Sequence, residues 1–381
     1  MSRRPLTLLF DASPLINGRL SGVGYYTKGV IEALATGYPD DELVGHYFNF
    51  LGKKDTSHLP RARNIRYVET RLLPGKALSL FRRFGLQIPF DLLIKTRGDA
   101  AFFPNFVSLP LLRRIPSLVA VPDLSFVDCP EYVQAKNRKF LLRFVPRSVR
   151  KAAAVFAISE ATKLSLIGHY DLDENTISVA HIPVAVMPHG LPHPALVHGK
   201  YILFMSTLEP RKNFLTLVKA FCALSQELKE KYSLVLAGGE GWDVEADIAE
   251  VRRLQQTGEK IIMTGYVDEA TRASLYEHAS LFVMPSYYEG FGMPLLEAMS
   301  YGVPVLASDI PVFHEVAGDA AIFADPNSAY EFTAKLAAVL RSETDRKTLV
   351  HNGRSQVKKF SWTEVAESMH DTIIKTLKEE G

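Results

Sequence analysis

Short apolar runs recur along the chain, most of them closed by a glycine, a proline or a charged residue and followed by a segment of helical period. Leu6-Thr7-Leu8-Leu9-Phe10, stopped by Asp11, reads as a buried parallel strand. A loop with Gly18, Gly22 and Gly24 follows, then an amphipathic run to Leu34. Further strands are expected at 43–50, 65–70, 100–103, 118–121 and 154–158, with helices at 136–151 and 160–170. The alternation then restarts. Strands are expected at 201–205, 233–237, 261–264, 281–284, 303–307 and 321–323, and helices at 214–229, 244–256, 269–278, 294–300 and 328–341. The last helix, 362–378, has a polar face and reads as a surface element. Strand and helix in alternation predict an α/β protein with doubly wound parallel sheets.

With 381 residues the chain exceeds what one core usually supports, so two domains are expected. The texture changes at Ile182-Pro183 and again at Met187-Pro188-His189-Gly190-Leu191-Pro192-His193-Pro194, a linker signature that sets the boundary between 1–190 and 191–361. His189 reads as a hinge residue. Apolar runs such as Leu118-Val119-Ala120-Val121 fall far short of the ~20 residues of a membrane span. Met1-Ser2-Arg3-Arg4 leads into a run too short for a signal peptide, so a cytoplasmic location is expected. Cys129 and Cys222, far apart, speak against a disulfide framework or a zinc site.

The net charge of +2 hides an asymmetry. Residues 1–190 hold 25 Lys and Arg against 16 Asp and Glu, and the remainder holds 19 against 26. The N-terminal half is therefore expected to face something anionic. In it, 71–97 sets Lys76, Arg82, Arg83 and Lys95 among large apolar residues, and 136–151 carries seven basic residues and no acid. Two readings stay open: an anionic membrane surface, or apolar residues in the core beneath a solvated basic face. No nucleic-acid partner is expected.

The candidate chemistry lies at the strand exits of the second half. Residues 206–213 place Arg211 and Lys212 before a helix, where a planar fork and a point charge can neutralise a diphosphate, although such a pair also occurs as a solvated surface feature. Gly238 and Gly239 follow one strand, and Gly265-Tyr266-Val267 another, where main chain can approach a base edge. Between 284 and 297 a strand passes through Gly290 and Gly292 into a helix start, a layout suited to phosphate or sugar phosphate. Glu289 in the loop and Glu297 in the helix can grip vicinal hydroxyls; the plain alternatives are a turn residue and a helix-dipole partner.

Glu289-Gly290-Phe291-Gly292-Met293-Pro294-Leu295-Leu296-Glu297 resembles the Glu-x7-Glu motif of family 4 retaining glycosyltransferases. Gly22-Val23-Gly24-Tyr25-Tyr26, Glu209-Pro210-Arg211-Lys212-Asn213, Gly265-Tyr266-Val267 and Phe360-Ser361-Trp362 are similar to further family segments. The resemblance implies a GT-B fold, two Rossmann-like domains facing a cleft, with the helix 362–381 returning to the N-terminal domain. It implies transfer of a sugar from a nucleotide diphosphate donor, by a front-face mechanism, to a glycan or lipid-linked acceptor, with no cofactor and no metal. By the same resemblance Glu289 contacts sugar hydroxyls and Glu297 the ribose, while Arg211 and Lys212 hold the diphosphate. Main-chain groups of Gly290, Phe291, Gly292, Met293, Leu295 and Leu296 surround sugar and phosphate, with Gly22 closing over the diphosphate.

Two departures stand out. Where many members carry a His-Asp pair this chain has Pro122-Asp123, leaving Asp123 as the candidate, and where some carry an earlier Arg it has Ser206-Thr207. A likeness to bacterial envelope enzymes implies mannosyl transfer from GDP-mannose in O-antigen or exopolysaccharide assembly, peripheral at the inner face of the plasma membrane. A nucleotide-sugar epimerase of the same architecture and a non-catalytic sugar-binding or scaffold protein are the alternatives.

Overall fold

Apolar four- to seven-residue runs become the central strands of two parallel sheets in the computed structural model, which describes residues 4–71, 88–184 and 188–379. The chain divides into two units, Met1–Ile182 with Ser361–Gly381, and Pro183–Phe360. The whole proline-rich stretch after Ile182 thus belongs to the second unit, and the division falls before it.

In the first unit the strands β1 (Thr7–Asp11), β2 (Glu42–Phe48), β3 (Ile65–Thr70), β4 (Ala100–Phe103), β5 (Ser117–Val121), β6 (Ala154–Ala157) and β7 (Ile177–Val179) lie in the order β3-β2-β1-β4-β5-β6-β7. β4 and β6 are buried along their whole length, as strands covered on both faces must be. β7 has only three residues and no period to betray it in sequence. Helix Gly22–Gly37 starts at Ser21, whose hydroxyl accepts from the Gly24 amide at 3.3 Å. It buries Tyr26, Val30, Ile31 and Leu34.

The C-terminal helix, Trp362–Glu379, is more than a surface element. It joins the first unit and buries Val365, Ala366, Met369, His370 and Ile373. Gly29 lets it approach Gly22–Gly37, since a Cβ there would sit 2.1 Å from the Trp362 ring. His370 stacks on Tyr38 at 3.5 Å and its Nε2 lies 3.2 Å from the Asp41 carboxylate.

In the second unit β8 (Lys200–Met205), β9 (Tyr232–Ala237), β10 (Ile261–Gly265), β11 (Leu281–Met284), β12 (Val305–Ser308) and β13 (Ala321–Ala324) are ordered β10-β9-β8-β11-β12-β13. Phe204, Leu217, Phe221, Leu236, Val283 and Phe332 lie in its main core. The expected helix 214–229 is broken into Phe214–Cys222 and Gln226–Lys231, because the chain turns at 223–225 to bring both Leu224 and Leu228 into that core. Helices Pro311–Ala317 and Glu343–Val357 were not expected; the second buries little besides Leu349, so no apolar stripe announces it.

Strand order reverses between β1 and β4, and between β8 and β11. The strand ends at such a reversal splay their connections to opposite faces and leave a crevice beyond the carboxyl ends. Among the described residues no helix is long and apolar enough to cross a membrane.

Gly29→Ala is expected to lower the unfolding free energy by about 1–3 kcal/mol by overpacking. Denaturant unfolding should show a smaller loss when Trp362→Leu is already present; purely additive losses would rule out the contact as the cause.

Candidate functional site

The reversal between β8 and β11 positions the loops 206–213 and 285–292. The first is pinned by its own backbone: the Ser206 amide donates to Ala237 O at 3.0 Å, and the Leu208 amide to Gly239 O at 2.9 Å. Gly238 makes this possible, because its φ is +148° and a Cβ there would lie 1.8 Å from Ser206 O. A tight turn, Pro210–Lys212, then delivers two cations inward and ends at Asn213, held at φ +53°.

Asn213 is the residue whose role sequence reasoning missed. Its Nδ2 donates to Pro285 O and to Pro326 O, both at 2.8 Å, and its Oδ1 accepts from the Thr216 hydroxyl at 2.6 Å. One buried amide thereby ties together the exits of β8, β11 and β13. An Asn directly before a helical run, in a left-handed position that Asn tolerates, was the available signal.

Glu289 comes from the other loop and is buried. Its Oε1 accepts from Lys212 Nζ at 2.6 Å and from the Ser286 hydroxyl at 2.8 Å; its Oε2 accepts from Arg211 Nη1 at 2.9 Å. Arg211 donates further to Tyr288 O at 2.7 Å and to Glu209 at 2.9 Å, and the Tyr287 amide donates to Arg211 O at 2.9 Å. Burial opposes the charge on Glu289, yet Lys212 and Arg211 overrule it and hold the carboxyl down at about 2. Burial and the neighbouring guanidinium push the Lys212 ammonium below its usual value, against the pull of Glu289. Glu209, Arg211, Lys212 and Glu289 together carry no net charge. Glu289 is therefore an ionised acceptor near neutral pH, suited to gripping hydroxyls and unsuited to donating a proton.

Past Glu289 the chain stays buried. Gly292 has φ +102°, and a Cβ on it would meet the Phe313 ring at 2.8 Å, so both backbone and packing require glycine. It opens helix Met293–Ser300. Phe291 packs edge-on to Phe360, and Leu295 and Leu296 are core residues, so their side chains are taken up in packing. Glu297 lies buried in this helix, paired with Arg272 Nη1 at 3.0 Å from helix Glu269–Glu277. Arg272 carried no motif in sequence.

The same helix anchors the proline-rich stretch. Glu277 accepts from the Gly190 and Leu191 amides at 2.6 and 2.8 Å, and Ser274 donates to Pro192 O at 2.6 Å. His189 packs edge-on to Tyr301. At the β10 exit Gly265 is exposed at φ +65°, its carbonyl taken by the Gly238 amide at 2.9 Å. Tyr266 is exposed and Val267 half-buried.

The remaining sequence candidates belong to the first unit. Gly22 is exposed, and a Cβ on it would meet nothing within 4 Å, whereas one on Gly24 would come 2.9 Å from Leu20. Packing explains Gly24 and leaves Gly22 to some other cause. Asp123 turns one carboxylate oxygen to the Ser125 amide and hydroxyl at 3.0 and 2.7 Å, starting a short helix. Among the described residues no group of three or more His, Cys, Asp or Glu side chains is placed to hold a metal ion.

Residues 193–356 match the family described as glycosyl transferases group 1. The O-antigen chain mannosyltransferase B of Escherichia coli is 29% identical over 377 residues, covering 94% of this chain and 96% of that protein. Another Escherichia coli protein, the serotype-specific mannosyltransferase WbdA, is 30% identical over 240 residues, 60% of this chain but 29% of its own length. Among solved structures, the sucrose-phosphate synthase of Thermosynechococcus elongatus superimposes with a TM-score of 0.74 at 17% identity, covering 99% of this chain and 100% of that one. That likeness establishes the fold.

Two outcomes are expected. The Glu289 carboxyl has a folded value near 2 against an ordinary 4.5, so its stabilising contribution is complete above about pH 4.5 and lost as pH falls towards 2. Glu289→Gln should cost roughly 3 kcal/mol at neutral pH, and denaturant titrations should show the gap closing with acid; a constant gap would refute the assignment. Asn213→Ala should destabilise more than Asn213→Gly by about 1 kcal/mol, since glycine relieves the left-handed strain while both lose the carbonyl bonds. Equal losses would mean that the backbone angle contributes nothing.

Proposed function

We propose that the chain, which has the GT-B fold and is similar to bacterial O-antigen mannosyltransferases, is a glycosyltransferase that transfers mannose from GDP-mannose, with retained configuration, to a lipid-linked O-antigen glycan on the cytoplasmic side of the membrane. The observation that carries the donor reading is the buried set of Glu289, Arg211 and Lys212 at the β8/β11 reversal. The mannosyl reading is supported by a relative that matches along almost its whole length and is named for that sugar.

In this proposal the donor diphosphate enters beside Lys212 and Arg211 and draws their N–H groups towards its oxygens. These two cations, which also hold Glu289, would then stabilise the charge that grows on the departing diphosphate. Glu289, relieved of part of their grip and still ionised, accepts from hydroxyls of the sugar. Glu297, paired with Arg272, takes the ribose hydroxyls. Main chain at 290–296 lines sugar and phosphate, and Gly265-Tyr266-Val267 flank the base. The acceptor hydroxyl passes its proton to the leaving phosphate as the new glycosidic bond forms on the same face. The two cations, rather than a metal ion, carry the electrostatic load. In the first unit, Gly22 offers exposed main chain and Asp123 a carboxylate as further candidate contacts.

An epimerase would need paired acid–base groups, and an ionised Glu289 does not supply an acid. The relatives do not favour that reading.

A ligand that binds the native state raises the apparent melting temperature. GDP is expected to shift it more than UDP, ADP or dTDP, and Lys212→Ala to remove most of the shift. Glu289→Ala should abolish mannosyl transfer while the protein remains folded. A larger shift with UDP would overturn the donor assignment, and full turnover by Glu289→Ala would overturn the role of that carboxylate.

A further inference from the structure

Helix Ala135–Lys151 of the first unit buries Leu141, Val145, Ser148 and Val149 on one side. On the other, Lys136, Lys139, Arg143, Arg147 and Arg150 follow one another at intervals of three or four residues, which aligns them along a single stripe. All five are exposed, and the helix contains no acid. Among the described residues none of the five is paired with a carboxylate. Such a stripe repels itself unless something anionic lies against it.

The apolar residues of this helix divide between two environments. Leu141 and its buried neighbours are core, but Phe140 is 37% exposed and Leu142 40% exposed, both beside the cations. Phe140 leans on Phe144 with ring centroids 4.9 Å apart, and the Arg143 guanidinium covers the Phe144 ring at 5.4 Å. Leu142 also lines a shallow groove of about 580 Å³, walled by Pro130 and Val133 and rimmed by Arg138, Lys139 and Arg143. Phe140 and Leu142 thus add apolar area to the basic face.

We propose that this face docks on an anionic lipid bilayer. The charge pattern demands an extended anionic surface, and the exposed Phe140 and Leu142 demand an apolar layer just beneath it. A bilayer with anionic headgroups supplies both, whereas a nucleic-acid backbone supplies only the first. The groove accepts a headgroup phosphate among its three cations while Leu142 and Val133 meet the start of the acyl region. The other basic stretch flagged in sequence has Lys76, Arg82 and Arg83 outside the described residues and adds nothing to this surface.

The proposal is independent of the glycosyl-transfer reading, because binding is measured without activity. The intact protein is floated with vesicles of phosphatidylcholine alone, or of phosphatidylcholine mixed with phosphatidylglycerol. Recovery is expected with the anionic vesicles only, and to fall in high salt. The double variant Lys139→Glu with Arg143→Glu should weaken binding by about tenfold or more. Phe140→Ser with Leu142→Ser, which leaves every charge in place, should weaken it severalfold. None of the four side chains lies in the core, so each variant should still unfold cooperatively, and its melting temperature is measured alongside flotation. Charge reversal at Arg252 and Arg341 of the second unit is the control and should change nothing. Equal recovery with neutral vesicles, or binding untouched by the Lys139 and Arg143 reversals, would overturn the proposal. So would binding that depends on charge alone and ignores Phe140 and Leu142, which would mark a general polyanion surface.

Discussion

A carboxylate buried between two cations is the constraint on which the second unit's site depends. Removing Glu289, Lys212 and Arg211 from water is costly, and the cost is offset only because each oxygen of Glu289 meets a charged donor at 2.6 to 2.9 Å. That geometry requires two loops, from β8 and β11, to end at fixed places. Asn213 and the backbone bond from Tyr287 to Arg211 put them there. The ion cluster is thus less a source of stability than a reason for the loops to have one shape. It also offsets the mutual repulsion of the two adjacent cations.

Glycines in the loops of the two units fall into two groups. At Gly238, Gly241 and Gly292 a side chain would collide with neighbouring atoms, so the fold accounts for them. At Gly22 and Gly265 a Cβ would meet nothing within 4 Å. Gly265 is still explained by its positive φ. Gly22 is explained by neither.

The uneven charge of the chain becomes concrete in helix Ala135–Lys151. Sequence alone offered core with a solvated basic face, or a lipid-facing surface, as if the whole stretch must choose. The structure divides it: Leu141, Val145 and Val149 belong to the core, and Phe140 and Leu142 do not. A helix is wide enough to serve both environments, since residues three and four apart share a side while their immediate neighbours do not.

Local pattern was enough to determine the strands from β1 to β6 and β8 to β13: the fully buried ones, such as β4, β6 and β11, are continuous apolar runs, and the edge strand β3 mixes apolar and polar residues. It also placed Arg211, Lys212 and Glu289 in the loops that follow β8 and β11, beyond the carboxyl ends of the sheet. Where burial is slight the pattern fell silent, as at β7 and helix Glu343–Val357. It also misjudged residues 214–229, where continuous helical period concealed a turn that serves the core. Only the tertiary structure decided that Glu289 holds both cations, that Glu297 faces Arg272, that Asn213 joins three strand exits and that Trp362–Glu379 is partly core. Each of these pairs or packs residues far apart in the chain, and such partners leave no periodic trace in either segment alone.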